Sequence, residues 1–110
     1  MAAAKLLVCY PHPKDPSAFE RAYAEEHLPM AKPIFAGVGA QKAVFTKLSD
    51  TPEGKPHFYR MAEFHFPSIE KMREALASPD VQRAVVDANR ISTGGPVVAM
   101  LSGEDQTITF

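Results

Sequence analysis

The sequence predicts an α+β domain in which a β-α-β unit occurs twice and four strands form one antiparallel sheet. Three observations carry that expectation. Short runs of apolar, β-branched and aromatic residues alternate with longer stretches whose apolar residues recur at spacings of three and four. Clusters of proline, glycine, serine and aspartate separate these runs. Finally, Phe58-Tyr-Arg-Met-Ala-Glu-Phe-His-Phe66 reads as a strand with two unlike faces. Side chains alternate along a strand, so Phe58, Ala62, Phe64 and Phe66 share one face with Arg60, while Tyr59, Met61, Glu63 and His65 share the other. The first face suits a hydrophobic core. The second mixes a phenol, a thioether, an acid and an imidazole, which fits a cavity wall better than a solvated surface.

Taken in order, Lys5-Leu-Leu-Val-Cys-Tyr10 is the first strand, ended by Pro11 and a rigid Pro11–Pro16 connector. Asp15 is placed to cap the next helix, and Pro16 suits its first turn, where a missing N–H costs nothing. Phe19, Ala22, Tyr23, His27 and Met30 form one stripe of that helix, which puts His27 on the buried face. Pro29 removes a backbone donor and disfavours a helical Leu28, so 28–36 is expected to be a broken turn leading to Gly37. Residues 39–48 read as the second strand, 49–56 as a polar turn-rich loop, and 58–66 as the strand that pairs back. Ser68 caps a helix with the stripe Ile69, Met72, Ala75 and Leu76, and Ser78-Pro79-Asp80 restarts the pattern. Val81, Ala84, Val85, Ala88 and Ile91 then form a second stripe that Gly94-Gly95-Pro96 stops. Residues 97–101 are the last strand, and 104–110 form a strand-like tail that one core does not need, with the dimer interface as its expected place.

This order is the ferredoxin-like βαββαβ arrangement. Its helices cover only one face of the sheet. The other face would be a large apolar patch, which soluble monomers rarely expose. A homodimer that buries two such faces, a dimeric α+β barrel, is therefore expected.

Composition narrows the partners. The 110 residues make one domain, 1–110, with 12 basic and 13 acidic side chains spread evenly and a net charge of −1. No basic patch marks a nucleic-acid or anionic-membrane surface. The apolar runs are far shorter than the roughly 20 residues that span a bilayer. Met1-Ala-Ala-Ala-Lys5 leads straight into the first strand without the features of a secretory leader, so the expected location is cytoplasmic. Cys9 is the sole cysteine, which excludes an internal disulfide, and its apolar strand marks it as a small buried hydrophobe.

Several stretches together resemble the EthD family, within the dimeric α+β barrel superfamily. They are Tyr10-Pro11, the helix with Phe19 and Tyr23 that runs into His27-Leu28-Pro29-Met30, and Ala62-Glu-Phe-His-Phe-Pro-Ser-Ile-Glu70. The resemblance spans residues 5–102. It implies a homodimer whose sheets face each other around a cavity for a small organic compound. It also implies a loose assignment to oxidoreductase activity, since the namesake proteins are associated with bacterial ethyl tert-butyl ether degradation beside a cytochrome P450 system. Neighbouring barrel families include cofactor-free monooxygenases, lactone isomerases and polyketide cyclases. Plant polyketide cyclases use a tyrosine and a histidine around the second helix. Here that region supplies Ala75, Ser78 and Val81, so their chemistry does not carry over.

His27 is the sharpest candidate for chemistry, as a general acid or base near a helix end. The plain alternative is a core histidine bonded to a carbonyl. Glu63 and His65 lie two positions apart on one strand face, about 6.5–7 Å between Cβ atoms. They suit either a ligand-orienting acid–base pair or an ion pair at a dimer rim. Tyr10, Tyr59 and Met61 are the expected substrate contacts, with ordinary structural roles as the alternative. His27, Glu63 and His65 could in principle hold a metal, although nothing in their spacing fixes a geometry. No dinucleotide, phosphate-loop or nucleophile motif is present, so no cofactor is expected. The functional expectation is a homodimer that binds a small apolar compound between its sheets and acts as a cofactor-independent oxidoreductase or isomerase-type enzyme or helper. The alternatives are a non-catalytic accessory protein for a partner oxygenase such as a P450, and a structural barrel whose cavity is packed shut.

Overall fold

A computed structural model describes residues 3–110; Met1 and Ala2, which begin the segment read as leading into the first strand, lie outside the described residues. The elements are β1 (Ala4–Pro11), α1 (Pro16–Ala22), a π turn (Tyr23–His27), α2 (Leu28–Gly37), β2 (Lys42–Lys47), β3 (Phe58–Phe66), α3 (Ile69–Ala77), α4 (Pro79–Ile91) and β4 (Val98–Leu101). The four strands form one antiparallel sheet in the order β2-β3-β1-β4. This is the ferredoxin-like α+β fold that the order of elements predicts.

The core lies between the helices and one sheet face. Leu6, Val8 and Tyr10 of β1 and Ala62, Phe64 and Phe66 of β3 are buried there against Phe19, Tyr23, Phe35 and Met72 of the helices. Strand pairing sets Leu6 beside Phe64 and Val8 beside Ala62, so the apolar sides of both strands coincide. Phe35 stacks on Phe64 with ring centroids 3.7 Å apart. The caps follow the sequence in part. Asp15 accepts from the Ala18 N–H and Ser68 from the Lys71 N–H, whereas Ser78 occupies its cap position without a side-chain bond.

Two expectations are corrected. Residues 28–36 are not a broken turn: α2 runs through Pro29 and Pro33 to Gly37. The π turn explains how. Leu28 bonds back five residues to the Tyr23 carbonyl, so Pro29 falls in the first turn of a re-registered helix, where a missing donor is best tolerated. The second correction concerns Tyr59. Tyr10 faces Arg60 and Pro11 faces Phe58, so Tyr59 is the extra residue of a bulge. Its ring packs against Phe19 and His12 and does not continue the row of Met61, Glu63 and His65.

The Gly94-Gly95 pair does more than stop α4. A Cβ at Gly94 would collide with the His12 carbonyl, so glycine lets this loop press onto the end of β1. The tail beyond Leu101 has no regular structure, and Ile108 and Phe110 are exposed. No described helix is long and apolar enough to cross a membrane.

Candidate active site between the helices and the sheet

The π turn builds the site. A π turn carries more residues per turn than an α-helix, which brings side chains four apart nearly into line. Tyr23 and His27 are such a pair, stacked with ring centroids 6.1 Å apart and planes 20° apart, and both are buried. Tyr10, from β1, meets them edge-on at 5.5 Å and 6.5 Å respectively.

His27 is only 6% exposed, yet its partner is an acid and not the backbone carbonyl of a plain core histidine. Its Nδ1 lies 2.9 Å from Asp87 Oδ2, on α4. The other oxygen of Asp87 accepts from Arg90 Nε at 2.8 Å, and Arg90 also donates to Glu26 at 2.9 Å. Arg90 first, and then the bond from His27, hold the Asp87 carboxyl below its usual range. An ionised carboxylate only accepts, so His27 Nδ1 carries a proton, and in the neutral imidazole the lone pair is on Nε2. The chain Glu26–Arg90–Asp87–His27 therefore fixes both the tautomer and the ring orientation.

A cavity of about 50 Å³ opens beside this cluster. Tyr10, Tyr23 and His27 are its polar lining, and residues such as Val8, Phe45, Phe64 and Ala88 make up the rest. Val85 of α4 and Ala99 of β4 line it while remaining exposed, so the mouth lies between those elements. Burial pushes the Tyr10 hydroxyl pKa far above its ordinary value. Burial also raises Tyr23, to about 12, against the opposing pull of Arg60. Arg60 lies 5.0 Å from the centre of the Tyr23 ring and grips Glu20 with two bonds of 2.6 and 2.7 Å. That grip explains how an arginine sits on the apolar side of β3.

The predicted site residues divide into two groups. His27 and Tyr10 meet in this cavity. Glu63, His65 and Met61 lie on the opposite face of the sheet, in register with Leu7, Lys5 and Cys9 of β1. Glu63 and His65 approach each other to 3.7 Å. The expected convergence of His27 with Glu63 and His65 is thus corrected: the sheet stands between them, because alternation sends neighbouring β3 residues to opposite sides. The same separation removes the metal set considered from sequence, and no three His, Cys, Asp or Glu side chains cluster as a metal site among the described residues. Cys9 is buried, as a small hydrophobe would be. Asp87 and Tyr23 are site residues that the sequence does not predict in that role. Nothing in the local sequence ties Asp87 to a histidine 60 positions away. Tyr23 did show a signal, its place four residues before His27 on the same helical stripe.

Relatives share this architecture. The EthD domain family model matches residues 11–92. The chain belongs to the EthD family. A Rhodococcus erythropolis relative, an uncharacterized 11.0 kDa protein in the thcB-thcC intergenic region, is 29% identical over 94% of this chain and 96% of its own. The crystal structure of an EthD family protein from Bacillus halodurans superposes with a TM-score of 0.82 at 25% identity, over 94% of this chain and all (100%) of the other. Two more distant structures share the fold. A dimeric ferredoxin-like protein of unknown function from Jannaschia sp. has a TM-score of 0.73 at 13% identity, covering 94% of this chain and 100% of its own. SnoaB, a cofactor-independent oxygenase from Streptomyces nogalater, has a TM-score of 0.62 at 19% identity, covering 96% and 95%.

Proposed function

We propose that this EthD protein binds a small, mostly apolar organic compound between its helix layer and its sheet and removes a proton from it without a cofactor. The observation that carries this reading is the His27–Asp87 pair, with the buried His27 on the wall of a mostly apolar cavity and Asp87 bonded behind it. Asp87 holds the proton on Nδ1, so Nε2 is the base that accepts a substrate proton, and the resulting imidazolium is stabilised by the carboxylate beside it. The deprotonated compound then either regains a proton at another atom, as in an isomerase, or reacts with O₂, as in a cofactor-independent oxidoreductase.

The working form in this proposal is a homodimer joined through the open sheet face, with the 104–110 tail at the interface. Val44, Val98 and Met100 on that face are 40%, 42% and 41% exposed, and Leu7 and Met61 lie between them. Glu63 and His65 then form a polar centre within the interface and do not orient the ligand. Support also comes from the Jannaschia protein, a dimer with this fold.

The test is a thermal-shift and native mass spectrometry screen of small cyclic and aromatic compounds, with hits followed for deuterium uptake from solvent and for O₂ consumption. His27→Ala should keep binding while turnover falls by about 10²–10⁴-fold. Undiminished turnover in that variant refutes the proton-transfer role. Binding with no turnover in the wild type would instead support the accessory reading, delivery of a compound to a partner oxygenase.

A further inference from the structure

The Tyr23 hydroxyl is buried and has no hydrogen-bond partner among the described residues. An unpartnered donor of this kind is costly to keep and is retained where something else meets it. Its ring is 3% exposed, lines the cavity and is stacked on His27. We propose that Tyr23 is the oxygen-binding donor of this cavity, and that the compound bound is a one-ring phenol or enolisable ketone whose oxygen accepts from it. The inference rests on the cavity reading above and names its substrate class.

The chemistry follows from the lining. A ligand that enters must match its polar atom to Tyr10, Tyr23 and His27, because the remaining lining is hydrocarbon. His27 Nε2 takes a proton from the ligand's O–H, or from the carbon next to its carbonyl. In either case the electron pair left behind settles as negative charge on oxygen. A neutral donor set beside the base stabilises that oxyanion, which is where preorganised donors contribute most. Tyr23 is such a donor at neutral pH, as any phenol is, and burial pushes its pKa further up, to about 12. The cavity of about 50 Å³ is well below the roughly 150 Å³ that encloses a benzene ring, so the oxygen-bearing edge of the ligand enters it and the rest of the ring projects through the mouth beside Val85.

Fluorine NMR titration with 4-fluorophenol and its isostere 4-fluorotoluene, which lacks the hydroxyl, tests the assignment. The wild type should bind the phenol about tenfold more tightly than the toluene, the value of one satisfied buried donor. Tyr23→Phe keeps the ring and its stacking, and should bring the two affinities together while leaving 4-fluorotoluene unchanged. Equal affinities in the wild type, or a preference that survives in Tyr23→Phe, overturn the assignment and leave the cavity reading standing. Failure of both probes to bind the wild type overturns the cavity reading and this inference together.

Discussion

Replacing Glu20 by Gln isolates the device that keeps Arg60 against the site. The structure sets the magnitude. Two charge-assisted bonds of 2.6 and 2.7 Å join the pair, and the side chains are 19% (Arg60) and 31% (Glu20) exposed. A fully buried pair broken on one side costs about 3–5 kcal/mol, and an exposed pair about 0.2–1 kcal/mol. This half-buried pair falls between, and Gln still offers one acceptor, so the expected loss is about 2 kcal/mol at neutral pH. For a domain of this size that is a fall in Tm of about 8 °C at fixed protein concentration. The pH dependence makes the test specific. The bonds from Arg60 lower the folded Glu20 pKa below the ordinary carboxylate value of 4.5. Its contribution is therefore fully present above that value and disappears as pH falls through the lowered folded value. Melting curves of wild type and Glu20→Gln should stand apart at pH 7 and converge in acid. A gap that is absent at pH 7, or that persists unchanged into the acid range, refutes the reasoning. Tyr23 adds a second readout, since its ring lies under Arg60 and its environment should change in the near-UV circular dichroism spectrum.

Other perturbations separate structure from chemistry. Asp87→Asn removes the carboxylate charge and introduces an N–H donor that favours the other His27 tautomer, so turnover should fall by about 10²-fold or more with KM nearly unchanged, and equal losses in binding and turnover would argue for a packing role. Gly94→Ala forces a methyl group against the His12 carbonyl and should destabilise the fold by about 2 kcal/mol or more, measured by urea unfolding; a neutral result would mean that the loop is free to move away. Met100→Glu places a charge on the open sheet face and should convert a dimer, read by light scattering as twice the 12.0 kDa chain, to a monomer. A wild type that is monomeric at micromolar concentration would remove the dimer from the proposal.

Much of the fold was legible in the chain because it depends on short-range rules. The two-faced strand forms over the predicted residues, Phe58–Phe66, because period-two alternation needs only the strand itself. Asp15 and Ser68 cap helices as read, since a cap bond spans three residues. His27 was placed on the buried face by spacing alone. The limits also have local causes. Pro29 carries a strong helix-breaking signal, and the π turn that absorbs it has no sequence signature of its own. The bulge at Tyr59 shifts one side chain out of an alternation that is otherwise intact.

By itself the sequence determined the family, the order of elements and the faces of each strand, since these follow from patterns of neighbouring residues. Only the tertiary structure decided which polar groups share a space. The sheet divides His27 from Glu63 and His65, although all three carry the same kind of chemistry. In exchange, α4 brings Asp87 within 2.9 Å of His27 across 60 residues, and the π turn lays Tyr23 over its ring. The physical reason is that side-chain direction is a local property, whereas the partner a side chain meets depends on how helices and sheet pack.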